Sequence, residues 1–119
     1  MASKAFCELV LKQLNQVAPV TARAMFGGYG LYINGLMFAL IANDVVYFKV
    51  NDSNREDFLT AGMQPFIYHG KHKPIQMSYY QLPEAIWDGV ATLSVWVEKA
   101  HTAARQEKVK QKPKKNAYK

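Results

Sequence analysis

Residues 23–41 have the sequence RAMFGGYGLYINGLMFALI, in which Asn34-Gly35 separates two apolar runs. Both turn residues tolerate a positive φ, so this dipeptide favours a type I′ β-hairpin. A two-residue turn fixes the pairing of every residue on the two strands, because side chains alternate between faces. The face expected in the core carries the pairs Ile33–Leu36, Leu31–Phe38 and Tyr29–Leu40. The opposite face is then expected to carry the pairs Tyr32–Met37, Gly30–Ala39 and Gly28–Ile41.

Three glycines, Gly27, Gly28 and Gly30, precede this turn and raise the question of a ligand. A phosphate-binding loop requires a Lys-Ser/Thr pair and a following helix, whereas this run continues into a strand. An RNA-recognition strand requires a basic residue where Gly27 stands and an aromatic residue where Leu31 stands. Glycines at alternate strand positions instead permit another segment to approach closely. That segment belongs either to this fold or to a partner, and the partner-binding candidates are Arg23, Gly27, Gly28, Gly30 and Tyr32.

The flanking sequence predicts the remaining elements. Ser3 caps a helix that ends before Pro19, and residues 20–26 form a short strand or an extended lead-in. A strand at 45–50 follows a three-residue loop, because a two-residue loop places Lys49 in the expected core row. A Ser-x-x-Glu capping box at 53–56 starts a short helix over residues 54–61, with Gly62 after its C-cap.

The second half of the chain is predicted to contain a hairpin and a long helix. Residues 65–69 and 75–82 form the hairpin, and Pro83 begins the helix, broken once at Asp88-Gly89. Its apolar stripe is Ile86, Val90, Leu93, Val97, Ala100 and Ala104, with Trp87 and Trp96 beside it. The predicted fold class is α+β: an antiparallel sheet of five to six strands in two meanders, packed against an N-terminal and a long C-terminal helix.

The positive charge is concentrated at one end of the chain. The net charge is +6, yet residues 1–104 contain eight basic and eight acidic residues. We therefore expect a folded domain over residues 1–104 and a basic, disordered tail over residues 105–119, in which Pro113 ends any helix that reaches it. Such a tail favours weak, sequence-independent DNA binding or acts as a solubilising segment. The nucleic-acid candidates are Lys108, Lys110, Lys112, Lys114 and Lys115.

Residues that support catalysis or metal binding are sparse. His69 and His72 have metal-ligand spacing without a nearby third ligand, which indicates a solvated turn. Cys7 lies on the flank of a helix's apolar face, so we expect a partly buried side chain rather than a reactive thiol. Nucleophile-elbow and zinc-protease motifs are absent. We expect no enzymatic activity, no metal and no cofactor.

Cellular location is predicted from the cysteine count and the N-terminus. The single cysteine agrees with a reducing compartment. Charged residues interrupt the first sixteen positions, and no apolar window approaches the length of a membrane span. A cytoplasmic protein without membrane contact is expected.

Several motifs resemble the N-terminal domain of the TfoX/Sxy family of competence regulators. The similarity covers about residues 3–104. Its residues are Arg23, Met25-Phe26-Gly27-Gly28, Gly30, Tyr32, Phe38-Ala39-Leu40-Ile41-Ala42, Lys49-Val50, Pro65-Phe66, Tyr68, Met77, Tyr79-Tyr80, Leu82-Pro83-Glu84 and Trp96.

This resemblance implies a co-activator of DNA-uptake genes that works with a transcription-machinery protein such as the cyclic-AMP receptor protein. It implies neither a cofactor nor catalysis. Full competence regulators of the family carry a helical second domain, where this sequence has the lysine-rich segment. The other hypothesis from the residues is a non-specific nucleic-acid-binding module, and a homodimer stays open.

Overall fold

The computed structural model describes residues 3–25, 27–70 and 73–116, and only the backbone of residues 110–116. The helices are α1 (Lys4–Leu14), α2 (Arg55–Thr60), α3 (Glu84–Trp87) and α4 (Val90–Asn116). The strands are β1 (Thr21–Met25), β2 (Gly28–Ile33), β3 (Leu36–Ala42), β4 (Val45–Lys49), β5 (Pro65–His69) and β6 (Pro74–Gln81).

The strands of the described residues form one antiparallel sheet in the order β1-β2-β3-β4-β6-β5. This confirms the α+β class and the expected helices at both ends of the domain. The two expected meanders are joined, because β6 returns beside β4 and leaves β5 at the edge. Helix α2 spans the connection from β4 to β5.

The β2–β3 turn is the expected hairpin. Asn34 has φ of 52° and Gly35 has φ of 77°, both in the left-handed region that a type I′ turn requires. Beside the turn, the pairs Ile33–Leu36 and Tyr32–Met37 form as predicted.

The predicted β2–β3 register is wrong beyond those two pairs. Leu31 pairs with Ala39 instead of Phe38, because a β-bulge places one extra residue in β3. Phe38 and Ala39 are both fully buried, so the bulge directs two consecutive side chains into the core. The remaining observed pairs are Gly30–Leu40 and Tyr29–Ile41. Leu40 consequently lies on the face opposite the core cluster.

The β3–β4 connection is a two-residue turn and corrects the expected three-residue loop. Asn43 and Asp44 have φ of 52° and 57°, and Phe48 pairs with Ala39 rather than lying beside Leu40. The sequence favours the longer loop because it keeps Lys49 out of the expected core row. The bulge achieves that result instead, because it moves the core row of β3 by one residue.

Helices α1, α3 and α4 pack on one face of the sheet. Ser3 caps α1 as predicted, since its hydroxyl oxygen accepts a hydrogen bond from the Phe6 N–H at 3.1 Å. Most of the predicted α4 stripe is buried, but Val90 is 38% exposed because it begins the helix after the Asp88-Gly89 break. The core cluster includes Val10, Leu14, Leu31, Phe38, Phe48, Val50, Phe58, Tyr80, Leu93, Val97 and Ala100.

The backbone of residues 105–116 continues α4 as helix, including Pro113. This differs from the expected disordered tail and from the expected stop at the proline. Residues 105–112 are mainly Arg, Gln, Glu and Lys, which have high helix propensity, and they extend a helix already anchored by buried Ala103 and Ala104.

Helix α2 is held by a cap that differs from the predicted capping box. Asn54, not Ser53, occupies the N-cap, and its amide side chain forms no hydrogen bond to the helix. Asn54 is 2% exposed and accepts from the Asn51 N–H at 2.9 Å while donating to the Lys49 carbonyl at 3.0 Å. The predicted C-terminus is confirmed, since Gly62 has φ of 77°.

Candidate functional site on the open sheet face

Helices cover one face of the sheet, and we call the other the open face. It carries the side chains that alternate with the core row, including Arg23, Tyr32, Met37, Leu40, Tyr47, Lys49 and Tyr79. The row Arg23–Gly30–Leu40–Tyr47 crosses β1 to β4 through successive pairs.

The β5–β6 hairpin bends over part of the open face. Between the pairs Pro65–Tyr80 and Ile67–Gln76, β5 advances two residues while β6 advances four. This irregularity bends the hairpin, and the Phe66 ring lies 5.0 Å from the Tyr47 ring. The space between the hairpin and strands β1 to β3 is therefore partly enclosed.

That space is a cavity of 380 Å³. One wall comes from the turns and strands of β1 to β3, and the other comes from the bent hairpin. The described lining residues include no Asp, Glu, Lys or Arg. They are Met25, Gly27, Gly28, Tyr29, Met37, Leu40, Ile41, Ala42, Asn43, Phe66, Ile67, Tyr68, His69 and Met77.

Two of the predicted glycines are needed for close packing at this cavity. A Cβ at Gly28 would collide with the Ile41 carbonyl oxygen, which belongs to the neighbouring strand. A Cβ at Gly30 would lie 2.8 Å from the Met25 Sδ and 3.1 Å from the Met37 Sδ. The two sulfurs therefore converge over Gly30, and the close approach expected from the sequence is made within the fold.

Arg23 lies at one end of this arrangement. Its guanidinium carbon is 5.6 Å from the centre of the half-buried Tyr32 ring, a cation–π geometry. Among the described residues, Arg23 forms no ion pair with Glu84 or Asp88. Arg23 is exposed and presents its charge on the open face.

Lys49 and Tyr79 form a second pair that the sequence did not single out. Lys49 Nζ is 5.2 Å from the Tyr79 ring centre and donates to Ser78 Oγ at 2.8 Å. Burial lowers the pKa of Lys49. Burial, with a smaller contribution from Tyr32, raises the pKa of Tyr79 to about 12. Pairing these residues required the true β4 and β6 registers, which the sequence did not reveal.

The five partner-binding candidates lie together on β1, β2 and the turn between them. Gly27 occupies that turn with φ of 77° and lines the cavity with Gly28. Gly30 forms the buried floor beneath the two sulfurs, between Arg23 and the cavity. Proximity groups them into one surface, which has both a charged part and an apolar part.

The basic candidates lie on α4, away from that surface. Lys108 is exposed. For Lys110, Lys112, Lys114 and Lys115 the backbone is helical, and their side chains lie outside the described part of the structure.

The weaker chemical candidates occupy separate places. His69 lines the cavity, whereas His72 lies outside the described residues. Cys7 is 4% exposed, and burial raises the pKa of its thiol. Within the described ranges, no three His, Cys, Asp or Glu residues are grouped to hold a metal ion. No helix in that part of the chain is long and apolar enough to cross a membrane.

The fold defines a small α+β domain whose antiparallel sheet is covered by helices on one face. The chain belongs to the TfoX N-terminal domain family, whose model matches residues 12–104. This confirms the resemblance carried by the glycine-rich hairpin and the second half of the domain. Membership supports a competence-related, regulator-like role. No protein of curated function matches the chain.

Proposed function

We propose that the protein is a non-enzymatic, cytoplasmic adaptor or co-activator that acts in transcription through protein contacts on the open face. The observation that carries this proposal is one continuous surface. On it, the exposed Arg23 guanidinium lies over the Tyr32 ring, next to the methionine-lined cavity. Arginine, tyrosine and methionine are enriched at protein interfaces. Methionine also adapts its shape to different partners.

The proposed partner is a transcription-machinery protein of the cyclic-AMP receptor protein type, and the proposed process is control of DNA-uptake genes. Support comes from the family and from the charge distribution. Residues 1–104 are balanced in charge, which favours protein contact over phosphate contact as the main interaction.

The basic segment of residues 105–119 supplies auxiliary affinity for DNA in this proposal. It has seven Lys and Arg residues and one acidic residue. Each phosphate contact makes the slope of log K against log salt more negative by roughly 0.9. Such an arm would hold the adaptor near a promoter without reading the sequence.

The test is calorimetry of the full chain with purified cyclic-AMP receptor protein, with and without promoter DNA. Arg23→Ala and Tyr32→Ala should each weaken the complex about tenfold, as expected for interface anchors. Arg55→Ala is the matched control, because Arg55 lies at the start of α2, away from the open face, where it pairs with Asp52. Equal affinities for Arg23→Ala and Arg55→Ala would contradict the proposed surface.

A second candidate function is non-specific nucleic-acid binding by the sheet itself. The specific observation in its favour is the presence of two cation–tyrosine pairs, Arg23–Tyr32 and Lys49–Tyr79, on one face. Bases can stack on such rings. Fluorescence anisotropy with labelled single- and double-stranded DNA across a salt series separates the candidates.

In that assay, a full-length variant with Lys108, Lys110, Lys112, Lys114 and Lys115 changed to Gln should lose DNA affinity and salt dependence. Tyr32→Ala should leave DNA binding unchanged. The opposite pattern would favour the sheet as the nucleic-acid surface.

A further inference from the structure

We propose that the cavity between the open face and the β5–β6 hairpin binds a small, uncharged, planar aromatic molecule. This inference does not depend on the adaptor function, because the site needs no protein or DNA partner. It assigns a ligand class to the cavity, which the family membership does not.

The size of the cavity favours a small molecule over a peptide element. Its volume of 380 Å³ lies within the roughly 300–1,000 Å³ of typical ligand pockets. Strands β1 to β3 bound one side and the bent hairpin bounds the other, so a ligand would be held from two directions.

The charge of the lining favours an uncharged ligand. The described lining residues carry no carboxylate, ammonium or guanidinium group. An ion that moves from water into a cavity with an uncharged lining loses its hydration and gains no opposite charge in return, so its binding is unfavourable. Arg23 lies outside the lining, with its guanidinium engaged over Tyr32.

The shape and chemistry of the walls favour an aromatic ring. Gly28 lines the cavity without a side chain, and the Met25 and Met37 sulfurs lie directly above Gly30, two residues along β2. Thioether sulfur makes favourable contacts with ring edges, and the Phe66 and Tyr68 rings of the opposite wall can stack or pack edge-on. Met77 adds a third thioether from the hairpin.

One polar substituent on the ring can also be accommodated. His69 lines the cavity and is exposed, and an imidazole nitrogen can donate to or accept from a hydroxyl or N–H group. The proposed class therefore includes bicyclic molecules with a single hydroxyl or ring N–H.

The experiment uses 2-naphthol and its saturated, non-planar analogue decahydro-2-naphthol, titrated separately into the full-length protein by calorimetry. 2-Naphthol should bind one site saturably with Kd below about 1 mM, which its size permits. The saturated analogue should bind at least about tenfold more weakly, because it loses the sulfur–ring contacts. A 2-naphthol titration that does not saturate, or equal affinity for the two compounds, would overturn the proposal.

The binding place is checked without any substitution by ¹³C-methyl methionine NMR of the same titration. Ring currents from the ligand should shift the Met25, Met37 and Met77 methyl signals. Met63 packs against the core cluster and does not line the cavity, so it is the internal control. Uniform shifts, or shifts at Met63 alone, would place the ligand elsewhere and overturn the site.

Two substitutions fill the cavity from different strands. Gly30→Ala pushes the two flexible methionine ends into the space, and Ala42→Phe adds a ring from β3. Each should weaken 2-naphthol binding at least about tenfold, with the fold checked by thermal unfolding. Gly89→Ala is the matched control, since its Cβ would meet only Thr92 Oγ1, at 3.8 Å, outside the cavity.

Unchanged affinity in both folded variants would overturn the site. The assay contains no transcription protein, so loss of the adaptor interaction in the earlier test would leave this result intact, and the reverse also holds.

Discussion

Both faces of the sheet carry large apolar or aromatic side chains, but the two faces differ in what covers them. The covered face buries Phe38, Phe48 and Leu31 completely beneath α1 and α4. The open face also carries large apolar and aromatic side chains, but its cover is the bent β5–β6 hairpin, which leaves a cavity. Apolar side chains on a sheet therefore do not by themselves identify the core. What distinguishes the faces is how completely a second layer fills the space above them.

The largest expected difference between the faces concerns two phenylalanines. Phe48→Ala removes a fully buried ring that lies 5.6 Å from the Phe38 ring, and should lower the free energy of unfolding by about 3–5 kcal/mol. Phe66→Ala, at the half-buried cavity wall, should cost about 1–2 kcal/mol, because less area is buried there. Urea unfolding measures both, and equal losses of unfolding free energy would contradict the expected difference between the two faces.

A smaller contrast is expected between two glycines on the same strand. Gly28→Ala should destabilise the protein by about 3 kcal/mol, because its Cβ meets the backbone carbonyl of Ile41, which cannot move without disturbing β3. Gly30→Ala meets only side chains, the Met25 and Met37 sulfurs and the edge of the half-buried Tyr32 ring, and should change stability by less than about 1 kcal/mol. Thermal unfolding of the two variants side by side checks the order, and a larger loss for Gly30→Ala would contradict it.

Tyr79 makes the burial of the open face measurable as a function of pH. Its pKa in the folded protein is about 12, against an ordinary value of 10.0. The unfolded chain therefore loses this proton first, and the stabilising contribution, complete below about pH 10, is lost as pH rises towards 12. The two-unit difference corresponds to a full loss of about 3 kcal/mol.

Tyr79→Phe should remove this part of the pH dependence. Unfolding free energies of both proteins at about pH 9 and about pH 11.5 provide the measurement. Parallel decreases in the two proteins would show that burial does not raise the pKa of Tyr79 in the folded protein.

The smallest expected contrast concerns the segment that ties α2 to the end of β4. Asn54→Ala leaves the Asn51 N–H and the Lys49 carbonyl without their partner and should cost about 1–2 kcal/mol. Ser53→Ala should change stability by less than about 0.5 kcal/mol, because Ser53 is exposed and does not cap the helix. Chemical denaturation distinguishes these values, and a larger loss for Ser53→Ala would restore the capping-box interpretation.

The sequence predicts where the strands turn, because the turn residues themselves indicate it. It predicts strand register only for the pairs next to a turn. Asn34-Gly35 correctly predicted the hairpin and its first two pairs. The bulge at Phe38 was not predictable from alternation, because residues 36–42 are all apolar and either register buries large side chains. The predicted length of the β3–β4 loop is wrong for the same reason, because a three-residue loop places Phe48 in the core row only in a register without the bulge.

The glycine-rich hairpin was identified as a close-approach surface, but the cavity beside it was not. Met25, Met37 and Met77 are far apart in the chain, and only the bend in β6 brings Met77 over the first hairpin. Residues 75–80 alternate as an ordinary strand, so their pattern carried no indication of that bend. Methionines near the alternate glycines were the one available hint.

The position of β1 and β5 at the two margins of the sheet has a consequence for self-association. A marginal strand exposes unpaired backbone groups that could recruit a strand from another molecule. Here β1 is five residues long and carries the charge of Arg23, while β5 begins with Pro65 and is distorted by its irregular pairing with β6. Proline, charge and distortion each disfavour strand addition, so the sheet resists extension into larger aggregates.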